Sequence, residues 1–270
     1  MVMESVKLRI PLEDLGANPQ VWKQVPGYII RNCSPDLIES VVYHMTTYFI
    51  NEEPFCSNSE VSSDPVSVAE IGDWWRNLLK QNLTLIALPE KSAGADCKPI
   101  TEARIPLAGV NVLMLGVKNA PKSPPIEQQF TGKNIIRALA PYAKISEMVN
   151  CFKEYNTDIY MDAAGLSVHQ EHRGRKLGEA LLKARFQMCW TLGISVTKTV
   201  FTSIPSQITA FRCNMEKVKE IEYKDIKDEK TGEPAYPKID PHRTVHVCIR
   251  VLQDSLGNRS FSHSDSSSSD

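Results

Sequence analysis

The chain has 270 residues, with 31 Lys and Arg against 32 Asp and Glu and a formal net charge of −1. So close a balance excludes a general nucleic-acid binder, which needs a surplus of phosphate-neutralising charge, while 42% hydrophobic and 23% charged residues exclude a disordered chain. The seven cysteines are scattered, with no CxxC pair to signal a zinc site or disulfide framework, and no apolar leader or run of about 18 apolar residues is present, so the expectation is a cytoplasmic protein, neither secreted nor membrane-spanning.

Val6–Ile10 reads as a strand, followed by Pro, Gly and Asn punctuation up to residue 27. Tyr28–Asn32 is the next strand. Ser34, Pro35 and Asp36 read as N-cap, first helical residue and acidic first turn. In the helix that follows, Ile38, Val41, Met45 and Phe49 recur at three- and four-residue spacing, and Pro54 forces its stop. Val68, Ile71, Trp75 and Leu78 mark a second helix, whose Trp74–Trp75 pair is expected in the core. Leu83–Leu88 is a short strand, 89–98 a loop, and Leu107–Val117 a buried strand. The three prolines of 118–133 predict a long surface loop. Residues 134–155 read as mostly helical, with Pro141 expected to break or kink the run.

The most informative stretch comes next. Ile159–Val168 is a strand, 169–175 a turn, and Lys176–Leu192 a helix with Leu177, Ala180, Leu181, Ala184 and Met188 on one face, stopped by Gly193. Ser195–Thr202 is a strand, 208–213 a short helix ending at a left-handed Asn214, and Val218–Asp225 and Val245–Leu252 are the last strands. From Asp254 the sequence SLGNRSFSHSDSSSSD has too little apolar surface to fold and is expected to be disordered.

The segment HRGRKLGEALL (172–182) puts two arginines, a lysine and two glycines at a helix start, where unpaired N–H groups and the helix dipole favour an anion. The alternative is a solvated basic turn. A dinucleotide fingerprint would need GxGxxG and a P-loop GxxxxGK[ST], and neither is present. What fits is the turn of the GCN5-related N-acetyltransferases (GNAT), Q/R-x-x-G-x-G/A after a strand ending in valine: Leu166, Ser167 and Val168 end the strand, and Arg173 and Gly178 take the first and last motif positions. Lys176 replaces the middle glycine, a departure from the pattern.

Three further stretches are similar to insect arylalkylamine N-acetyltransferase-like enzymes. Phe49 to Phe55 resembles the family's Phe and D-E-P-L segment, with Glu53 on its glutamate; Ser206 to Met215 resembles its serine-led helix; Ile221 to Asp225 resembles its tyrosine-bearing strand. The chain is therefore identified as a divergent member of this group. The resemblance covers about 28–252 and implies the α/β GNAT fold, a mixed, partly splayed sheet with helices on both faces. It implies a 1–27 extension, a 28–253 N-acetyltransferase domain and a 254–270 Ser/Asp-rich tail.

It also implies the chemistry: transfer of the acetyl group of acetyl-CoA to the primary amine of a small amine, an arylalkylamine such as dopamine, serotonin or tyramine, with no metal, nucleic-acid or membrane partner. Leu166, Ser167 and Val168 would pair with the pantetheine arm, and Arg173, Gly174, Arg175, Lys176, Leu177 and Gly178 would surround the pyrophosphate. Glu53 would be the general base, since an ammonium has no lone pair with which to attack; the alternative is a solvated acidic helix end beside Glu52. Ser206 would assist near the thioester sulfur or simply cap its helix, and Thr202 stands where another family hydroxyl sits. The family's usual acid tyrosine is not evident, as Pro205 and Phe211 fill neighbouring positions. His169 and His172 are expected to be surface residues, and His242 and His246 structural. Two other functions remain open from the sequence: a degenerate acyl-CoA binder and a protein-directed N-acetyltransferase.

Overall fold

A computed structural model describes residues 8–90, 105–229 and 231–252. The elements are α1 (Leu12–Ala17), β1 (Val21–Val25), β2 (Tyr28–Asn32), α2 (Ile38–His44), α3 (Ile50–Glu52), α4 (Pro54–Asn58), α5 (Pro65–Leu79), β3 (Leu85–Pro89), β4 (Gly109–Val117), α6 (Ile126–Gln129), α7 (Lys133–Glu147), α8 (Cys151–Glu154), β5 (Ile159–Val168), α9 (Leu177–Leu192), β6 (Val196–Phe201), α10 (Ile204–Arg212), β7 (Glu216–Glu222) and β8 (Thr244–Val251). The strands form one sheet in the order β1-β2-β3-β4-β5-β6-β8-β7.

Every pairing is antiparallel except β5 with β6. Those two strands share a single register pair, Met161 with Thr197, and then part. The sheet is thus mixed and splayed, with a fork between β5 and β6. On one face, Val41, Phe55, Trp75 and Ile135 from the helices pack over Val110, Val112, Val196 and Val200 of the strands. On the other, Leu12 and Leu15 of α1 and Leu177, Leu181 and Met188 of α9 pack on Ile30, Leu85 and Met161. Each such buried aliphatic side chain stabilises the fold by about 1.5–3 kcal/mol relative to its exposed state. A third, smaller cluster joins Leu182 and Phe186 of α9 to Ala210 of α10 and Cys248 of β8.

Several elements differ from the sequence expectation. Residues 8–10 are not a strand, and 6–7 lie outside the described residues; the punctuated stretch after them instead forms α1 and the edge strand β1. The helix from Ile38 is interrupted by a π-turn at Met45–Phe49. Pro54 ends the first run and opens α4 at once, because its fixed φ suits a first helical position. Pro141 does not break α7, which continues through it and buries Ile135, Ala138 and Ile145 against the core. The 118–133 loop contains one helical turn, α6, and α10 starts at Ile204, where Ser203 and Ser206 form a capping box. β7 begins at Glu216 and gives way to a 3-10 turn at Tyr223–Asp225. The expected loop at 89–98 lies largely, and the expected tail at 254–270 wholly, outside the described residues.

Candidate active site

The fork is shaped by what happens to β5 just past Met161. Register with β4 shifts between Val112 and Leu113, a bulge that leaves Ala164 out of the pairing. Gly165 follows with φ +142, and a Cβ there would lie 2.5 Å from Met45 Cε and 3.3 Å from Phe49 Cζ. Glycine therefore permits the π-turn to seat against the bulge, and both irregularities meet at this point. Side chains take up carbonyls of the bulged strand: Tyr142 Oη donates to Ala163 O (3.2 Å), Trp75 Nε1 to Ala164 O (3.0 Å) and Asn111 Nδ2 to Gly165 O (2.9 Å).

Glu53 stands across the fork from this bulge. The residue before a proline is driven out of the helical region, and Glu53 is extended, with ψ 125. It becomes the N-cap of α4, its Oε2 accepting from Cys56 N–H at 2.7 Å. Its Oε1 accepts from Thr202 Oγ1 at 2.7 Å, joining residues 149 apart in sequence. Thr202 sits just past the end of β6, 7% exposed, and its carbonyl accepts from Tyr223 Oη at 2.8 Å. The carboxylate is thus fixed by two donors and keeps acceptor capacity for a further proton.

An aromatic layer lies around it. Phe55 stacks on Tyr236 with centroids 4.1 Å apart and meets Tyr223 and Tyr142 edge-on at 5.7 and 6.4 Å. Burial pushes the phenols of Tyr142, Tyr223 and Tyr236 up from their ordinary value, and the negative charge of Glu53 adds to the effect in all three. These tyrosines donate to main-chain carbonyls, so they build the wall of the site.

Ser206 is not joined to this pair. Among the described residues its hydroxyl and amide bond only to Ser203, in the reciprocal cap of α10. The capping alternative accounts for all of its hydrogen bonds.

The basic turn follows β5. Arg173 pairs with Glu52 and donates from Nε to Val168 O at 3.0 Å. Arg175 donates to Tyr28 Oη and lies over the Tyr28 ring, 5.7 Å from its centroid. Gly174 has φ +77 with open space around it, and Lys176, in the motif's middle position, holds φ +59 as the N-cap of α9. The left-handed conformation that would favour glycine is therefore kept by a lysine. Leu177 is a core anchor, 1% exposed, and a Cβ on Gly178 would meet Thr209 Cγ2 of α10 at an ordinary 3.4 Å. The first N–H groups of α9 have no intrahelical acceptor and face the turn. Beside the turn, Gly27, Tyr28, Pro89, Glu90, His172 and Arg175 line an open cleft of about 420 Å³.

The two histidines of the turn are half-buried and engaged, not free on the surface. His172 Nδ1 is 2.9 Å from Tyr28 Oη, and the His169 ring meets Tyr48 at 4.5 Å. Behind them, His44 Nε2 lies 2.9 Å from Ser167 Oγ in the core. Burial, reinforced by His169, lowers the His44 pKa to about 4. Sequence periodicity missed His44, Trp75, Tyr142 and Tyr223 as site residues; an isolated glycine inside the Ile159–Val168 run was the available signal for the bulge. Among the described residues no group of three His, Cys, Asp or Glu is placed to hold a metal, and no helix is long and apolar enough to cross a membrane.

No protein-family model matches the chain, and no curated protein matches it in sequence. Solved structures do match. The yellow fever mosquito protein designated arylalkylamine N-acetyltransferase 7 superposes with a TM-score of 0.74 at 23% identity, over 87% of this chain and 96% of that one. Arylalkylamine N-acetyltransferase 2 from Aedes aegypti gives 0.71 at 19% identity, over 84% and 99%. The Drosophila melanogaster polyamine N-acetyltransferase, which forms N-acetylagmatine, gives 0.63 at 17% identity, over 83% and 100%. The fold is that of the GCN5-related N-acetyltransferases.

Proposed function

We propose that this chain, built on the N-acetyltransferase fold, transfers the acetyl group of acetyl-CoA to the primary amine of a small arylalkylamine. The observation that carries the proposal is the Glu53–Thr202 hydrogen bond of 2.7 Å, which ties a half-buried carboxylate to the end of β6 at the mouth of the fork. In this reading the pantetheine arm enters between β5 and β6 along Leu166, Ser167 and Val168, and the pyrophosphate rests on the amides and basic side chains of 173–178. Glu53 takes a proton from the incoming ammonium, leaving the nitrogen lone pair free. The amine attacks the thioester carbonyl, a tetrahedral intermediate forms, and the thiolate leaves. The nitrogen of the intermediate loses a second proton as the thiolate leaves; one of the two protons goes to the sulfur and the other to solvent, so that the products are the N-acetyl amine, free coenzyme thiol and a proton. Thr202 acts by orienting the carboxylate, and Ser206 by holding the N-terminus of α10.

Phe55, Tyr223 and Tyr236 are each 1% exposed and back the carboxylate from the core; the choice of an aryl substrate rests on the similarity to the mosquito arylalkylamine N-acetyltransferase structures. The test is a screen of dopamine, serotonin, tyramine, agmatine and a peptide amine with acetyl-CoA, read by release of free thiol. Arylalkylamine-dependent release supports the proposal. Release with the peptide alone would make the chain protein-directed, and binding of acetyl-CoA without any release would make it a non-catalytic binder.

A further inference from the structure

The point at which β5 and β6 separate is occupied by a fully buried cation. Arg185 of α9 is 0% exposed. Its Nη2 donates to the carbonyls of Met161 (2.8 Å) and Lys198 (2.8 Å), one on each strand, and its Nη1 donates to Thr199 Oγ1 at 2.7 Å. Thr197 Oγ1 also donates to Met161 O, at 3.0 Å. Met161 with Thr197 is the sole register pair of this parallel junction among the described residues. On the opposite face Lys198 Nζ lies 3.7 Å from Asp162 Oδ2 and donates to Ser146 O of α7 at 2.9 Å.

Burying a guanidinium is expensive, and an apolar side chain of similar volume is often as stable or more so. What an apolar side chain does not offer is several N–H donors in one plane. Together with the hydroxyls of Thr197 on Met161 O and of Thr199 on Lys198 O (2.6 Å), those donors occupy carbonyls of both strands at the end of the ladder and so take them out of further pairing between β5 and β6. Asp162 and Lys198 bridge the same two strands from the other side.

We propose that Arg185 is a positioning residue that wedges the fork open, so that the slot between β5 and β6 exists before any ligand arrives. Its effect on catalysis rests on acetyl-CoA entering this fork. Arg185→Met removes the donors at nearly constant volume, and Arg185→Lys keeps the charge with fewer donors. Wild type and both variants are compared by calorimetric titration with acetyl-CoA, steady-state kinetics, melting curves and amide hydrogen exchange of the ligand-free proteins.

For Arg185→Met the expected result is a melting temperature at or above wild type, at least tenfold weaker acetyl-CoA binding and a KM for the amine within twofold. Exchange should slow at Asp162–Ala164 and Thr199–Phe201 as the strands zip together. Arg185→Lys should fall between the two. Unchanged affinity together with unchanged exchange at the fork would overturn the proposal, as would weaker binding that merely follows a fall in melting temperature. If wild type itself does not bind acetyl-CoA, the proposed function fails, and the exchange comparison still decides whether Arg185 holds the strands apart. Should Arg185→Met not fold, Thr199→Val, which removes one acceptor of the guanidinium, is expected to shift exchange and affinity in the same directions by a smaller factor; no shift would refute the wedge.

Discussion

Replacing Glu53 by glutamine isolates its acid–base role from its structural one. The carboxylate makes two hydrogen bonds, one from Cys56 N–H and one from Thr202 Oγ1, each 2.7 Å. Alanine would lose both, and the cap alone is worth about 0.5–2 kcal/mol. Glutamine keeps one oxygen to cap α4, while its NH2 group can donate to the Thr202 hydroxyl, which is able to reverse its own role. Glu53→Gln should therefore melt within a few degrees of wild type. Its turnover should nevertheless fall by roughly 10²–10⁴, the usual contribution of a positioned general base. The assay is a pH–rate profile of both proteins with one accepted amine, alongside melting curves and acetyl-CoA titration. The deficit should shrink as pH rises toward the amine's own pKa, because more substrate then arrives deprotonated. A glutamine variant with wild-type kcat throughout the profile would remove Glu53 from the mechanism. A raised KM with kcat intact would make it an anchor for the ammonium instead.

Three other outcomes follow from local geometry. Lys176 holds φ +59, a conformation that costs a non-glycine residue about 1–2 kcal/mol; Lys176→Gly should therefore raise stability by up to about 1 kcal/mol after the entropic penalty of glycine, read from the urea midpoint. Gly165→Ala should destabilise by about 1–3 kcal/mol, through its φ of +142 and a 2.5 Å approach to Met45 Cε, and should weaken acetyl-CoA binding by disturbing the bulge. His44 is buried neutral with a pKa of about 4, below its ordinary 6.5, so the unfolded chain takes up its proton first as pH falls. Its contribution is fully present above pH 6.5 and is lost progressively down to about pH 4, where the loss reaches about 3 kcal/mol. Urea denaturation at pH 7.5, 5.5 and 4.5 measures this, and His44→Gln should flatten the slope over that interval.

Local pattern was enough for the elements whose own residues dictate them. Tyr28–Asn32 and Ile159–Val168 are strands over the span read from the sequence. Gly193 ends α9 with φ +80, and Asn214 follows α10 with φ +55, as left-handed terminators do. Glu53 and Thr202 could be named one by one, because the resemblance to family segments that singles them out is visible in one dimension. Their hydrogen bond could not be read from the sequence, since it depends on bringing α4 and the end of β6 together across 149 residues. The same holds for α1 and β1, whose short, punctuated sequence acquires structure only by docking on α9 and on the β2 edge. Pro141 illustrates the converse: its local preference against a helix interior is real, yet burial of Ile135, Ala138 and Ile145 carries α7 through it. Arg185 is the extreme case, lying in a helix whose sequence gives no sign of a special role. Only the tertiary structure places its guanidinium against carbonyls of two separating strands, because the donors that decide the shape of a sheet junction come from another layer of the fold.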